Sequence, residues 1–252
     1  MGRPIAVVSL PFKIAMNNIL IGLGLDKFYV RYSRQWERRR FSPTRTLQEN
    51  VGFSHRDDVN QALHRVHAKL REICEKQVTT GGRILDIGSG TGLVTRQLTD
   101  RWKVVGIDLS PNLTEVARKV VPEADFYVGD ILTLELTGGF SLAFSIGVLE
   151  YIPPAQLRAY FAKAAHLLTE DGILFVQYPH AISRLDLWHP NLLYSKYTPR
   201  VVQEAAAEFF ETLEHHHSFH TDKIVEEIDD DPYPVDSFVN GYLYVGRKRT
   251  QK

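Results

Sequence analysis

From Arg83 onward the chain alternates short β-rich runs with helical ones, and this alternation restricts its fold more than any other feature. The runs Arg83–Ile87, Lys103–Ile107, Asp125–Val128, Phe140–Ser145 and Gly172–Tyr178 are short and rich in apolar residues, which reads as strands. Between them, Leu93–Arg101, Leu113–Val120 and Ala155–Leu168 have the spacing of amphipathic helices. Ser110 is placed to cap the second helix, with Pro111 in its first turn, where a missing N–H does no harm. Asp171-Gly172 reads as the turn that ends the third helix and starts the next strand. Strands joined by helices run parallel and need helices on both faces of their sheet. A helix from Pro199 to about Phe210 and two strands near Thr212–Phe219 and Phe238–Arg247 follow. The expected fold is therefore α/β, a mostly parallel sheet of seven strands that ends in an antiparallel hairpin.

Upstream, Val59, Leu63, Val66, Leu70 and Ile73 repeat at helical spacing within Arg56–Lys76, which predicts a helix laid on the sheet. Residues 1–55 read as an N-terminal extension or cap, and residues 56–252 as one domain. An irregular stretch at about 179–197 holds Trp188, His189, Pro190, Tyr194 and Tyr197, which makes it too long and aromatic for a plain connector. With 252 residues, 44% of them hydrophobic, the chain can bury a full core. Lys+Arg and Asp+Glu both number 30, so no polyanion partner is implied and a nucleic-acid acceptor is not expected. The basic stretch Lys27–Arg45 and the acidic stretch Glu204–Asp236 read as solvated faces; peripheral membrane contact through the basic N-terminal part stays open. Cys74 is the single cysteine, so no internal disulfide forms and a reducing compartment fits. There is no apolar run of transmembrane length and no secretory signal core, so cytoplasm is the expected location. The oligomeric state cannot be read from the sequence.

The chemistry is concentrated in Ile84-Leu85-Asp86-Ile87-Gly88-Ser89-Gly90-Thr91-Gly92, a strand running into a loop with glycine at every second position. Such a loop lets backbone approach a ligand closely. A dinucleotide site would need Gly-x-Gly-x-x-Gly, but the third glycine comes one place early at Gly92, and Leu93 holds its position. A carboxylate at Asp86 would repel a pyrophosphate and attract the ammonium group of a methionine-type ligand. Asp108 ends the next strand, about 20 residues past the loop, where it can accept hydrogen bonds from both ribose hydroxyls. Asp130 ends the third strand and can accept from an adenine amino group, with Ile131 packing on the ring. One acidic residue at a strand end is usually a turn or cap; three at successive strand ends suggest a ligand.

Taken together, Asp86-x-Gly88-x-Gly90-x-Gly92, Ile107-Asp108-Leu109-Ser110, Gly129-Asp130-Ile131 and Ser145-Ile146-Gly147-Val148-Leu149-Glu150-Tyr151 resemble the class I S-adenosylmethionine-dependent methyltransferases. The resemblance runs from Arg83 to about Tyr178 and implies a Rossmann-like fold with S-adenosylmethionine as cofactor. It implies that Asp86 and the loop Gly88, Ser89, Gly90 and Gly92 hold the methionine part. It also implies Asp108 on the ribose, Leu109 and Ile131 beside the adenine, Asp130 on the adenine amine, and Ser145 and Ile146 near the sulfonium. Many small-molecule members have a histidine where this chain has Tyr151, and tyrosine is the poorer base at neutral pH.

Candidate proton acceptors are His180, Tyr151 and Glu150, with His180 best placed just past the fifth strand. Tyr151, His180, Trp188, His189, Tyr194 and Tyr197 are the candidate acceptor-pocket residues. His215-His216-His217 suggests a metal, but neighbours on a strand point to opposite faces, and no metal site is expected. The expected function is methyl transfer to a small or medium-sized acceptor, with oxygen the preferred atom. The alternatives are a catalytically inert cofactor-binding module or partner subunit, and an RNA or protein methyltransferase.

Overall fold

The computed structural model describes residues 57–179, 197–217 and 241–250. The expected N-terminal cap and nearly all of the aromatic insertion lie outside the described residues. The described residues open with a 21-residue helix α1 (Asp57–Gln77), followed by β1 (Arg83–Ile87) and β2 (Lys103–Asp108). Then come α2 (Pro111–Val120), β3 (Asp125–Val128), β4 (Phe140–Ile146) and α3 (Leu157–Leu167). The last elements are β5 (Leu168–Pro179), α4 (Pro199–Ala206), β6 (Phe210–His217) and β7 (Gly241–Lys248). The seven strands form one sheet in the order β3-β2-β1-β4-β5-β7-β6. All neighbours from β3 to β5 pair in parallel, and β7 is antiparallel to both β5 and β6. This is the Rossmann-like α/β sheet with a C-terminal hairpin.

Strand alternation divides the core in two. Ile84, Val104, Leu142, Phe144, Ile173 and Phe175 bury one face against Val66, Leu70, Ile73 and Cys74 of α1. Those α1 positions recur every three or four residues and so form one stripe of the helix. Burial pushes the Cys74 thiol up to about 12, so it stays protonated and unreactive. Leu85, Ile87, Ala143, Leu174 and Val176 face the other layer, built from Tyr160, Phe161, Ala164 and Leu167 of α3 and Val202 and Ala206 of α4. There Phe161 meets Tyr160, Phe210 and Tyr244 edge to face, with ring centroids 5.3, 6.3 and 6.1 Å apart.

The expected helix Leu93–Arg101 is absent. A 3₁₀ turn, Thr95–Gln97, stands in its place, closed by short-range bonds from Gln97 N to Val94 O and from Leu98 N to Thr95 O. Buried Leu98 and Trp102 still anchor this segment, and the indole N–H donates to Val78 O at 3.3 Å. The third helix starts at Leu157, behind a 3₁₀ turn at Pro154–Gln156, and stops at Leu167. β5 then starts at Leu168, earlier than the expected Gly172, with a register shift between the pairs of Phe140 and Leu142. Asp171 in that irregular stretch has φ +61°, so Asp171-Gly172 turns the chain within the strand. The Pro199 helix ends at Ala206, because Phe210 is already paired with Lys248 in the sheet. Among the described residues no helix is long and apolar enough to cross a membrane.

Candidate active site

β1 lies between β2 and β4, so the chain's connections run away from it in opposite directions. Open α/β sheets bind ligands outside the carboxyl ends of the strands at such a point. The glycine loop leaves β1 here. Gly88 N and Ser89 N both donate to Ile107 O, at 2.8 and 2.9 Å, so the loop is folded back over the end of β2. Gly88 has φ +77°, and a Cβ on it would lie 2.3 Å from Val148 Cγ2 in the segment after β4. Gly90 has φ +54°, and a Cβ there would meet nothing within 4 Å, so this part of the loop faces open space.

Two carboxylates lie near this loop. Asp108, half-buried at the end of β2, accepts from Gly90 N at 2.9 Å through Oδ2 and from Ser110 N at 2.8 Å through Oδ1. A carboxylate has about four acceptor sites, so capacity for two hydroxyl donors remains. Burial raises the Asp108 pKa, and the two backbone N–H groups work against that rise. Asp86, on β1, is 3% exposed and accepts from Thr95 Oγ1 at 2.5 Å. Burial pushes its pKa up to about 7; the Thr95 hydroxyl lowers it, and the charge of Asp108 raises it further. A nearby cation would favour the ionised form of such a buried carboxyl. Ser89 Oγ is buried in the same loop without a hydrogen-bond partner. The donor set and the bare loop fit an aminoacyl-nucleoside ligand.

The structure brings Asp86, Gly88, Ser89, Gly90 and Asp108 together. Gly92, with φ +79°, turns the loop toward α2, where a Cβ would meet Val121 Cγ2 at 3.0 Å. Leu109, at the tip of β2, is 49% exposed and has a face to offer a ligand. Asp130 is half-buried, and its Oδ1 caps the following turn by accepting from Leu132 N at 2.9 Å. Ile146 is half-buried at the end of β4, and Glu150 and Tyr151 sit on the 3₁₀ turn that follows it.

Three expected contact residues instead turn inward. Ile131 is 5% exposed and packs in the main core. Ser145 is fully buried on the α3 side of the sheet, where its hydroxyl is 2.7 Å from Tyr160 Oη. Tyr197 is 3% exposed, and its hydroxyl donates to Ile152 O at 2.5 Å. These side chains support the strand tips from below, because strand alternation and the aromatic α3 layer draw them in. His180, Trp188, His189 and Tyr194 lie outside the described residues.

Two supporting residues escaped the sequence reading. Gly106, inside β2, has no room for a side chain: a Cβ would lie 2.5 Å from Phe126 Cδ1 and 2.9 Å from Ser89 Cβ. An isolated glycine in a strand is the signal that marks such a close approach. Thr95 left no comparable signal. His215 and His216 fall on opposite faces of β6. His215 sits 2.8 Å from Tyr178 Oη, held neutral by burial that pushes its pKa down to about 4, while His216 pairs with Glu214 at 3.1 Å. Among the described residues no group of three His, Cys, Asp or Glu could hold a metal ion. A crevice of about 440 Å³ opens at the opposite edge of the sheet, beside Arg83, Lys103, Asp125 and Phe140, away from the acidic strand tips.

Residues 84–172 match the methyltransferase domain family. The chain is 32% identical over 100 residues to trans-aconitate 2-methyltransferase of Afipia carboxidovorans, covering 38% of each protein. It is 30% identical over 118 residues to the protein of that name from Escherichia coli K12, covering 43% of this chain and 46% of the relative. The chain thus spans less than half the length of these relatives. The N-methyltransferase NodS of Bradyrhizobium japonicum, solved with S-adenosyl-l-homocysteine, superposes with a TM-score of 0.56 at 15% identity. That superposition covers 77% of this chain and all of NodS, and the likeness is one of fold.

Proposed function

We propose that this chain, whose residues 84–172 match a methyltransferase domain family, is a class I S-adenosylmethionine-dependent methyltransferase that methylates a small or medium-sized acceptor, preferentially at oxygen. The observation that carries this reading is the pair Asp86 and Asp108 on neighbouring strand tips, around a loop whose Gly90 faces open space. S-adenosylmethionine supplies an activated methyl group on a sulfonium. Asp86 would pair with its ammonium, Ser89 would give a buried hydroxyl to its carboxylate, and Asp108 would accept from the ribose hydroxyls. Asp130 would take the adenine amine, with Leu109 against the ring and Ile146 near the sulfonium.

The remaining task of the protein is to align the acceptor and exclude water, and alignment alone can contribute about 7–11 kcal/mol. The preference for oxygen rests on the candidate proton acceptors Glu150 and Tyr151 after β4, and on His180, which follows β5 in the sequence, since a hydroxyl must lose its proton. Trp188, His189 and Tyr194 would complete the acceptor pocket. Both curated relatives are named for trans-aconitate, which supports a small acceptor. Balanced charge supports a small acceptor over RNA, and the domain is read as residues 56–252 with a cap before it and a cytoplasmic location.

Incubation of the protein with methyl-labelled cofactor and a cell extract tests the reading. Label in small molecules is the expected result. Label that becomes small only after nuclease or protease treatment would identify an RNA or protein enzyme, and no transfer would identify an inert module. Asp108→Ala should weaken binding of the demethylated cofactor by about 1.5–3 kcal/mol, the range for hydrogen bonds to a charged group. Unchanged affinity by calorimetry in the folded variant would remove Asp108 from the site.

A further inference from the structure

We propose that Thr95 is a positioning residue for the methionine end of the cofactor: its hydroxyl holds one carboxylate oxygen of Asp86 and leaves the other for the bound ammonium. The inference deepens the reading above and rests on Asp86 being the ammonium's partner. Thr95 follows Asp86 by nine residues, is fully buried, and donates from Oγ1 to Asp86 Oδ2 at 2.5 Å. It belongs to the 3₁₀ turn that replaces the expected helix. Backbone bonds fix that turn, from Arg96 N to Gly92 O at 2.9 Å and from Leu98 N to Thr95 O at 2.9 Å. The hydroxyl therefore approaches β1 from a rigid support. A β-branched side chain is also stiff about χ1, so the donor cannot easily swing away.

The bond has an electrostatic effect as well as a geometric one. Among the described residues, the groups acting on Asp86 are the Thr95 hydroxyl from the turn and the Asp108 carboxylate from the end of β2. The hydroxyl favours the ionised carboxylate, whereas burial and Asp108 disfavour it. Removing the hydroxyl keeps Asp86 protonated to higher pH, and a neutral carboxyl cannot pair with an ammonium. Loss of Thr95 should thus resemble loss of Asp86 near neutrality and fade as the solution becomes alkaline.

Calorimetric binding of S-adenosylhomocysteine to the full chain between about pH 6 and 8.5 tests this, with Thr95→Val, Thr95→Ser and Asp86→Asn beside the wild type. The ratio of variant to wild-type affinity cancels the titration of the ligand's own amine. Thr95→Val should bind about tenfold more weakly near pH 7, the loss of one hydrogen bond to a charged group, and the gap should narrow toward pH 8.5. Thr95→Ser should bind like the wild type. Should the valine variant not fold, Thr95→Ala gives the same readout. A gap that is constant with pH, or no gap while Asp86→Asn binds weakly, overturns the role of Thr95 and leaves the site intact. Normal binding by Asp86→Asn as well would instead overturn the assignment of Asp86 on which the proposal rests.

Discussion

Asp86→Asn is expected to stabilise the ligand-free protein above about pH 7 while it weakens cofactor binding. The Asp86 carboxyl titrates near 3.8 when solvated and is pushed up to about 7 in the fold, chiefly by burial. Between those values the unfolded chain has lost the proton while the folded chain keeps it. The native state therefore binds more protons there, and stability falls as pH rises through the window. Above about 7 both states are ionised and the full penalty applies, on the order of 4 kcal/mol at about 1.4 kcal/mol per pKa unit. Asparagine removes the charge but buries an amide N–H₂ in its place, at roughly 1–3 kcal/mol if it finds no acceptor. A net gain of about 1–3 kcal/mol follows, or a thermal midpoint higher by about 2–4 °C per kcal/mol. Thermal unfolding near pH 5 and pH 8 should show the stability difference between variant and wild type moving in the variant's favour as pH rises, since buried groups such as His215 contribute equally to both. Parallel curves would mean that Asp86 carries no buried charge. In the same variant, S-adenosylhomocysteine should bind more weakly by about 1.5–3 kcal/mol, because the ammonium loses its counter-charge. A site held ready for a cation is destabilising until the cation arrives.

The second large effect is at Gly88. Gly88→Ala should destabilise the fold by about 2–5 kcal/mol, with the loss appearing in both stability and cofactor affinity. Two independent terms add. The residue has φ +77°, a conformation that costs an L-side chain about 1–2 kcal/mol. Its new Cβ would lie 2.3 Å from Val148 Cγ2, and overpacking of a tight contact typically costs about 1–3 kcal/mol. Val148 is β-branched and follows Gly147, whose N–H donates to Gln177 O at 3.1 Å, so it is tied to β5 and yields poorly. Gly88→Ala together with Val148→Ala separates the terms: the double variant should recover the packing part and keep the backbone part. Denaturant unfolding that finds Gly88→Ala as stable as the wild type would mean that the loop and the β4 tip do not pack as described. At Gly90 the same substitution meets no neighbouring atom, so its expected cost is that of backbone conformation alone.

The strands, their parallel order and the ligand end of the sheet were legible in the sequence because each follows from a local pattern. Short apolar runs at Ile84–Ile87 and Lys103–Ile107 mark buried strands, and glycine at every second position after Asp86 marks a loop that must pass close to something. Asp86, Gly88, Gly90 and Asp108 could be picked out by spacing, since residues at the ends of parallel neighbours are brought together by the sheet itself. The helix expected at Leu93–Arg101 failed for a reason invisible to periodicity. Leu98 and Trp102 supply helical spacing, but Thr95 is drawn onto Asp86 and the backbone tightens into a 3₁₀ turn.

The sequence alone marked the glycine loop and the acidic strand ends proposed to hold the cofactor, because strand composition and glycine placement act over a few residues and need no partner from afar. The tertiary structure decided which of the expected side chains are packed inside. Ser145, Ile131 and Tyr197 sit at the expected chain positions, yet Tyr160, the main core and the Ile152 carbonyl hold them inside. Thr95 acquires its proposed role by meeting Asp86 across a turn. Contacts of this kind depend on packing between elements far apart in the chain, and no local pattern encodes them.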